Sequence, residues 1–190
     1  MEAKEIFTSF EANFEHLVTK YETQIYYLAL QLVGDLEQCE QVLGETFITY
    51  HARFDGTVND SSLIELCKLA VTLSKEKSAN TQETPFALPK EILLSSPESR
   101  GPGEKRILLE YAVSKLPWQY KTAFVLSDVV RLSAEEISEV MTLTTSEVES
   151  LLKRARVLVA KTMSRPALEE AVINDTYFQN TVQNKSELLQ

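Results

Sequence analysis

A cluster of basic side chains closes the last strongly periodic segment of this 190-residue chain. Lys153, Arg154 and Arg156 stand close together, and each offers a cationic hydrogen-bond donor that suits phosphate oxygens. The carboxylates Glu147 and Glu149 precede them on the same segment. The chemistry predicted here is therefore the non-covalent binding of a polyanion. The two carboxylates are unexpected at such a site and need an explanation.

Two capping patterns define the helices that would position these side chains. Ser133 with Glu136, and Thr144 with Glu147, each place a hydroxyl three residues before a carboxylate at a helix start. The stretch TLTT between the helices supplies turn residues, and Leu143 is placed to fill the angle between them. This order matches a helix-turn-helix, whose second helix enters the major groove of DNA. Two ordinary bundle helices, with basic residues that suit the helix dipole, would give the same pattern.

The rest of the chain also follows a helical period, without convincing strand alternation. The sequence therefore predicts an all-α fold of two small helical domains. Glycine and aspartate pairs at 34–35 and 55–56 predict breaks between helices. The predicted helices span residues 9–32, 36–52, 61–77, 103–115, 118–130, 133–141 and 145–163.

A change of composition marks the predicted domain boundary. Residues 78–106 hold four of the six prolines and two of the five glycines, so this stretch cannot form one helix. We interpret 9–78 as a first helical domain, 79–105 as a linker, 106–163 as a helix-turn-helix domain and 164–190 as a tail. A short ordered turn is expected at 92–94.

Charge is distributed unevenly along the chain. The net charge is -9, but residues 1–80 carry 6 basic and 13 acidic side chains, whereas residues 106–163 carry 8 basic and 7 acidic ones. This asymmetry suggests a protein partner for the first part and leaves nucleic acid open for the second. The chain has no apolar run long enough to cross a membrane, and Cys39 and Cys67 lack metal-type spacing. We therefore expect a cytoplasmic location, reduced thiols, no metal and no cofactor.

The C-terminal part resembles region 4 of the extracytoplasmic-function group of bacterial sigma factors. That family's pattern is Leu-Pro, an aromatic and apolar helix, a helix beginning Ser-x-x-Glu-Ile and a recognition helix ending Arg-Ala-Arg. The matching positions are Leu116, Pro117, Phe124, Val125, Leu126, Leu132, Ser133, Glu136, Ile137, Val148, Ser150, Leu152, Arg154, Ala155 and Arg156.

The N-terminal part is similar to region 2 of the same family, in family order and at family spacing. Its matching positions are Tyr21, Leu28, Ala29, Gly34, Asp35, Glu37, Glu40, Val42, Glu45, Thr46, Phe47 and Phe54. Together the two matches cover most of residues 14–161, so the resemblance is more specific than a lone helix-turn-helix.

The resemblance implies a sigma factor that binds core RNA polymerase and directs promoter-specific transcription initiation without catalysis of its own. The implied partners are core polymerase, promoter DNA and an anti-sigma factor, with no membrane and no small-molecule substrate. The residues implied to dock on the clamp helices of the largest polymerase subunit are Glu37, Glu40, Gln41 and Glu45. An acidic helix face also suits a basic partner, although a solvated face would have the same composition.

The implied DNA-binding residues fall on two helices. Those on the last helix, directed at a -35 type element, are Ser146, Glu149, Ser150, Lys153, Arg154 and Arg156. Those on the third helix, directed at a -10 type element, are Lys68, Thr72, Lys75 and Lys77. The third helix departs from the family, because Glu65 replaces a usual Trp, and Val71 and Thr72 replace an Arg-Asn pair. Stacking surfaces and cations for strand opening are therefore sparse.

The recognition helix also departs from the family, at Glu147, Glu149 and Leu151. Glu147 is explained by the capping box, because a carboxylate in the first turn accepts from a free backbone N–H. Glu149 has two interpretations: it accepts a hydrogen bond from a cytosine amino group, or it repels phosphate.

Two other functions compete with the sigma factor. One is a sigma-like decoy that binds polymerase or an anti-sigma factor without directing transcription, which the altered third helix and Glu149 favour. The other, a general helix-turn-helix repressor, leaves the acidic N-terminal part unexplained. An enzyme is disfavoured, because His16 and His51 are isolated and no phosphate-binding glycine loop is present.

Overall fold

The computed structural model describes residues 2–79, 92 and 100–164, and it describes side chains from Phe10 onward except at Asp60. Every regular element in these ranges is helical, so the predicted all-α class is confirmed. The elements are α1 (Glu2–Val33), α2 (Leu36–His51), α3 (Asp60–Ala79), α4 (Pro102–Ser114), α5 (Trp118–Val125), a π-helical turn (Leu126–Val130), α6 (Ala134–Met141) and α7 (Thr145–Thr162).

The breaks between the first helices fall where the sequence predicts them. Gly34 adopts a left-handed φ of 73° after α1, a conformation that glycine reaches without steric cost. Asp35 then caps α2, because its Oδ1 accepts from the backbone N–H of Gln38 at 2.9 Å. Gly56, with φ 88°, forms the turn that precedes α3.

The predicted helix over 118–130 is helical throughout, but its hydrogen-bonding pattern changes within it. It is α-helical only to Val125, and Leu126–Val130 form a wider π-helical turn. Arg131 ends this turn in the left-handed region at φ 71°, and the Leu132 N–H returns to the Leu126 carbonyl at 3.0 Å. A π turn of this kind has no clear periodic signature, which is why sequence reasoning did not find it.

The described residues form two compact units. The first combines those within 2–79 with residues 117–155. Helices α1, α2 and α3 pack on one another. Helix α1 also contacts α5 and the π turn, and α3 also contacts α6. Gln24 on α1 donates a hydrogen bond to the Val130 carbonyl at 3.3 Å. The largest fully buried side chains of this unit are Leu17, Ile25, Leu28, Leu32, Val42, Leu66, Val125, Leu126, Val130 and Ile137.

The second compact unit comprises Ile92, residues 100–116 and residues 156–164. Ile92 and Leu108 form its buried centre, with Ile107, Tyr111 and Met163 packed around them.

The predicted domain boundaries at 9–78, 79–105, 106–163 and 164–190 stay a prediction. The first unit draws on residues from both sides of the predicted linker. The linker segments 80–91 and 93–99, and the tail from 165 onward, lie outside the described residues. Of the turn expected at 92–94, only Ile92 is described, and it is buried. None of the described helices is long and apolar enough to span a membrane.

Candidate nucleic-acid and protein interfaces

Helix α7 begins with the predicted capping box. Glu147 Oε2 accepts hydrogen bonds from the Thr144 backbone N–H at 2.8 Å and from Thr144 Oγ1 at 2.7 Å. The Glu147 N–H in turn donates to Thr144 Oγ1 at 3.3 Å. The backbone hydrogen bond from Thr144, with the hydroxyl bond second, holds the pKa of Glu147 below its ordinary value. Glu147 is thus a structural residue, as the sequence indicates.

The two faces of α7 differ in chemistry. Its inner face buries Val148, Leu152, Ala155 and Val159. The six residues of α7 that are predicted to bind DNA are all exposed: Ser146, Glu149, Ser150, Lys153, Arg154 and Arg156. Because inner residues recur at helical spacing, the polar residues share the outward side of the helix. This side offers two hydroxyls and a carboxylate in the first turns, followed by three cations.

The first helix of the pair and its turn also match the predicted geometry. Ser133 Oγ accepts from the Glu136 N–H at 3.2 Å, and Glu136 Oε2 accepts from the Ser133 N–H at 2.7 Å. Thr142 ends α6 in the left-handed region at φ 55°. The Leu143 N–H then donates to the Ser138 carbonyl at 3.0 Å. The turn is therefore fixed by backbone bonds, with a β-branched residue where glycine is usual.

The predicted polymerase-binding residues lie on α2. Glu37, Glu40 and Gln41 are exposed, and Glu45 is half-buried. Gly44 lies between Gln41 and Glu45, and a Cβ placed there would meet no atom within 4 Å beyond its adjacent residues and the backbone of its own helix. The structure therefore places the predicted acidic residues on an accessible helix.

Sequence reasoning missed two neighbours of these residues. Ile48 lies one turn beyond Glu45 on the same side of α2, and its side chain is 73% exposed. An isoleucine in an amphipathic pattern is ordinarily assigned to the core, so only its exposure in the structure identifies it. On this face, Gly44 leaves an open space and Ile48 presents an exposed apolar side chain among the carboxylates.

Lys77 differs from the other predicted cations of α3. Its Nζ lies 2.7 Å from Glu45 Oε1 and 3.2 Å from Gln41 Oε1, which makes it part of the α2 surface. Lys68 lies 4.0 Å from Glu139 on α6, and both side chains are largely exposed. Such a long exposed pair contributes little to stability. Thr72 donates its hydroxyl to the Lys68 carbonyl at 2.8 Å.

One cleft within the first unit is lined by two residues from each of the two predicted DNA-binding sets. Its volume is about 800 Å³. Thr72 and Lys75 of α3 line it, as do Ser146 and Ser150 of α7. Trp118, which is partly buried, lines the same cleft. The described structure therefore places the third helix next to the N-terminal half of the predicted recognition helix. Sequence reasoning gave no signal of this arrangement.

Metal and thiol chemistry are not indicated by the described part of the chain. Within residues 10–79, 92 and 100–164, no group of three or more His, Cys, Asp or Glu side chains is placed to hold a metal ion. Cys39 and Cys67 are free and fully buried. Burial, with a smaller contribution from Glu40, raises the pKa of Cys39 to about 11. Burial, with a smaller contribution from Glu136, raises the pKa of Cys67 to about 12.

Comparison with known proteins supports the helix-turn-helix assignment. Residues 106–159 match the family model for sigma-70, region 4. The chain is 26% identical over 173 residues to the RNA polymerase sigma-H factor of Pseudomonas aeruginosa, covering 83% of this chain and 89% of that protein. It is 24% identical over 164 residues to the ECF RNA polymerase sigma factor SigW of Bacillus subtilis, covering 78% and 87% respectively.

A solved structure shares the fold. The structure of CnrH in complex with the cytosolic domain of CnrY aligns with a TM-score of 0.60 and 16% sequence identity, covering 83% of this chain and 94% of that one. Residues 106–159 are therefore a sigma-70 region 4 domain, and the chain is similar over about four fifths of its length to the two bacterial sigma factors named above.

Proposed function

We propose that this chain is a sigma factor, which binds core RNA polymerase and directs promoter-specific transcription initiation. The observation that carries the proposal is the doubly capped helix-turn-helix with its exposed Lys153, Arg154 and Arg156 on α7, inside a region 4 domain. A factor of this kind acts in the cytoplasm through binding alone, without catalysis, a cofactor or a small-molecule substrate.

The acidic face of α2 is proposed to bind the polymerase. Glu37, Glu40 and Gln41 project into solvent, which leaves their polar groups available for a basic partner surface. Ile48 supports the same assignment, because an apolar side chain that is 73% exposed gains most when a partner covers it. Glu45 is proposed to belong to this face and to be held in place by Lys77.

The outward side of α7 is proposed to bind a duplex element of the -35 type. Lys153, Arg154 and Arg156 would contact phosphates and fix the position of the helix on the DNA, whereas Ser146, Glu149 and Ser150 would face the bases. On α3, Thr72 and Lys75 would contact a -10 type element, with Lys68 beside them. Lys77 has the weakest assignment to DNA, because it already contacts Glu45.

A regulatory protein partner is also proposed. CnrH, which shares this fold, was solved in complex with the cytosolic domain of CnrY. By analogy, an anti-sigma factor would bind this chain and compete with polymerase or DNA.

The first test is a pull-down with core polymerase, run beside run-off transcription on genomic fragments. We expect core binding and specific transcripts from the full chain. Replacing Glu37 and Glu40 together by Ala should weaken the pull-down at least tenfold. Exposed Glu15 and Glu22 on α1 provide a charge-matched control, which should keep wild-type binding.

A second test addresses the DNA surface. Lys153→Ala should lower affinity for all promoter fragments alike and reduce the slope of log affinity against log salt by about 1. Lys105→Ala, an exposed lysine on α4, is the matched control and should leave the slope unchanged.

The alternative function is a sigma-like decoy that binds polymerase or an anti-sigma factor without directing transcription. The observation that favours it is the contact of Lys77 with Glu45, which pairs one predicted DNA-binding cation of α3 within the chain. The same assays separate the two functions. Core binding with no specific transcript, even at low salt, would support the decoy and contradict a sigma factor.

A further inference from the structure

We infer that Glu149 reads a base: its carboxylate accepts a hydrogen bond from the amino group of a cytosine in the major groove. This inference rests on the proposed function, because it requires that α7 enters promoter DNA. It goes beyond that function by assigning one base preference to one residue.

The first step is that Glu149 has no structural task in the described chain. Glu147, two residues earlier, already makes the carboxylate contacts of the capping box with Thr144. Glu149 is exposed, and within residues 10–79, 92 and 100–164 it makes no hydrogen bond or ion pair. A carboxylate without a partner repels phosphate and so weakens DNA binding. This repulsion is smallest when the carboxylate faces base edges and not the phosphate backbone.

The second step is its place on the helix. Ser146 lies three residues before Glu149 and Ser150 follows it, and both are exposed. The cation Lys153 comes one turn later. In a helix-turn-helix the N-terminal residues of the second helix contact base edges, and cations beside them anchor the backbone. Glu149 thus lies in the base-reading part of α7, not in the anchoring part.

The third step is the chemistry of the bases. An ionised carboxylate only accepts hydrogen bonds. In the major groove guanine presents the acceptors N7 and O6, and thymine presents the acceptor O4 and a methyl group. Adenine has an amino donor, but its N7 acceptor lies beside it and repels a carboxylate. Cytosine presents its N4 amino donor without an adjacent acceptor, so it is the base that Glu149 fits.

The test uses the full chain and a library of duplexes with a randomised segment, sequenced before and after selection by binding. Wild-type protein should enrich cytosine about tenfold at one position. Glu149→Ala should lose this preference at that position alone and keep the others. Its affinity for random duplex should be equal or higher, because a negative charge is removed. Glu22→Ala, an exposed glutamate on α1, should give the wild-type profile.

Three results would overturn the inference. If Glu149→Ala selects the same sequences as wild type, Glu149 contacts no base and acts as a solvated helix residue. If wild type enriches specific sequences but none of them contains a cytosine whose enrichment is lost in Glu149→Ala, the inference fails while the proposed function stands. If wild type enriches no sequence, even when bound to core polymerase, the proposed function fails together with the inference. Thermal unfolding of Glu149→Ala should match wild type, which separates readout from misfolding.

Discussion

Lys77 Nζ on α3 lies 2.7 Å from Glu45 Oε1 on α2, although the two residues are 32 positions apart in the chain. The same nitrogen lies 3.2 Å from Gln41 Oε1. A residue that is predicted to bind DNA thus contacts two residues that are predicted to bind polymerase. Lys77 therefore contacts one end of the acidic face of α2.

A double-mutant cycle of Lys77→Ala and Glu45→Ala should measure this contact. The pair is partly exposed, so we expect a coupling free energy of about 0.2–1 kcal/mol in urea unfolding, reduced at high salt. Lys75→Ala is the control, because exposed Lys75 makes no contact with Glu45 in the described chain. It should show no coupling with Glu45. A zero coupling for Lys77 would mean that the contact contributes nothing measurable.

The turn of the helix-turn-helix should be stabilised by Thr142→Gly. Thr142 has φ 55°, where the Cβ of a β-branched residue is crowded by its own backbone. Removing the Cβ should raise the free energy of unfolding by about 1 kcal/mol, as measured by chemical denaturation. Thr142→Ala retains the Cβ and should gain less. A loss of stability on Thr142→Gly would show that the side chain contributes more than the strain it causes.

The capping box of α7 should make the free energy of unfolding depend on the hydroxyl of Thr144. Thr144→Ala removes the acceptor for the Glu147 N–H and should lower the free energy of unfolding by about 1 kcal/mol. Thr144→Ser keeps the hydroxyl and should remain near wild type. Equal stability of the Ala and Ser variants would contradict the cap.

The pH dependence follows from the lowered pKa of Glu147. Because the folded pKa lies below the unfolded one, the stabilisation is present above the unfolded pKa and is lost as pH falls through the folded pKa. Glu147→Gln should therefore flatten the acid limb of the stability curve. An acid limb identical to that of wild type would show that another carboxylate dominates it.

The thiols should react only when the chain unfolds. Burial raises the pKa of Cys67 to about 12, so the thiolate is scarce at pH 8 and the sulfur is also inaccessible. We expect iodoacetamide to label native protein far more slowly than urea-unfolded protein, with the extent of labelling followed by mass spectrometry. Rapid labelling of the native chain would contradict the packing of α3.

The raised thiol pKa also predicts a loss of stability in alkali. The folded state holds the thiol protons more tightly, so this contribution is complete below the unfolded pKa near 9 and declines as pH rises toward 12. Cys67→Ala should reduce the alkaline decline in chemical denaturation, after allowance for the smaller buried side chain.

The sequence by itself determined the features that depend on neighbours within one turn. The caps at Asp35, Ser133 and Thr144 were predictable because a hydroxyl or carboxylate reaches only the next few backbone groups. The exposed side of α7 was predictable from helical spacing, and the explanation of Glu147 required only local hydrogen bonds. The resemblance to sigma regions 2 and 4 added the order of the two parts.

Only the tertiary structure decided which distant groups meet. The partner of Lys77, the exposure of Ile48, the π turn before Arg131 and the cleft beside Thr72 all depend on contacts between helices far apart in the chain. Helical periodicity tells which side of a helix is buried, but not which helix covers it. These contacts arise from the packing of whole faces, and no short stretch of sequence encodes them.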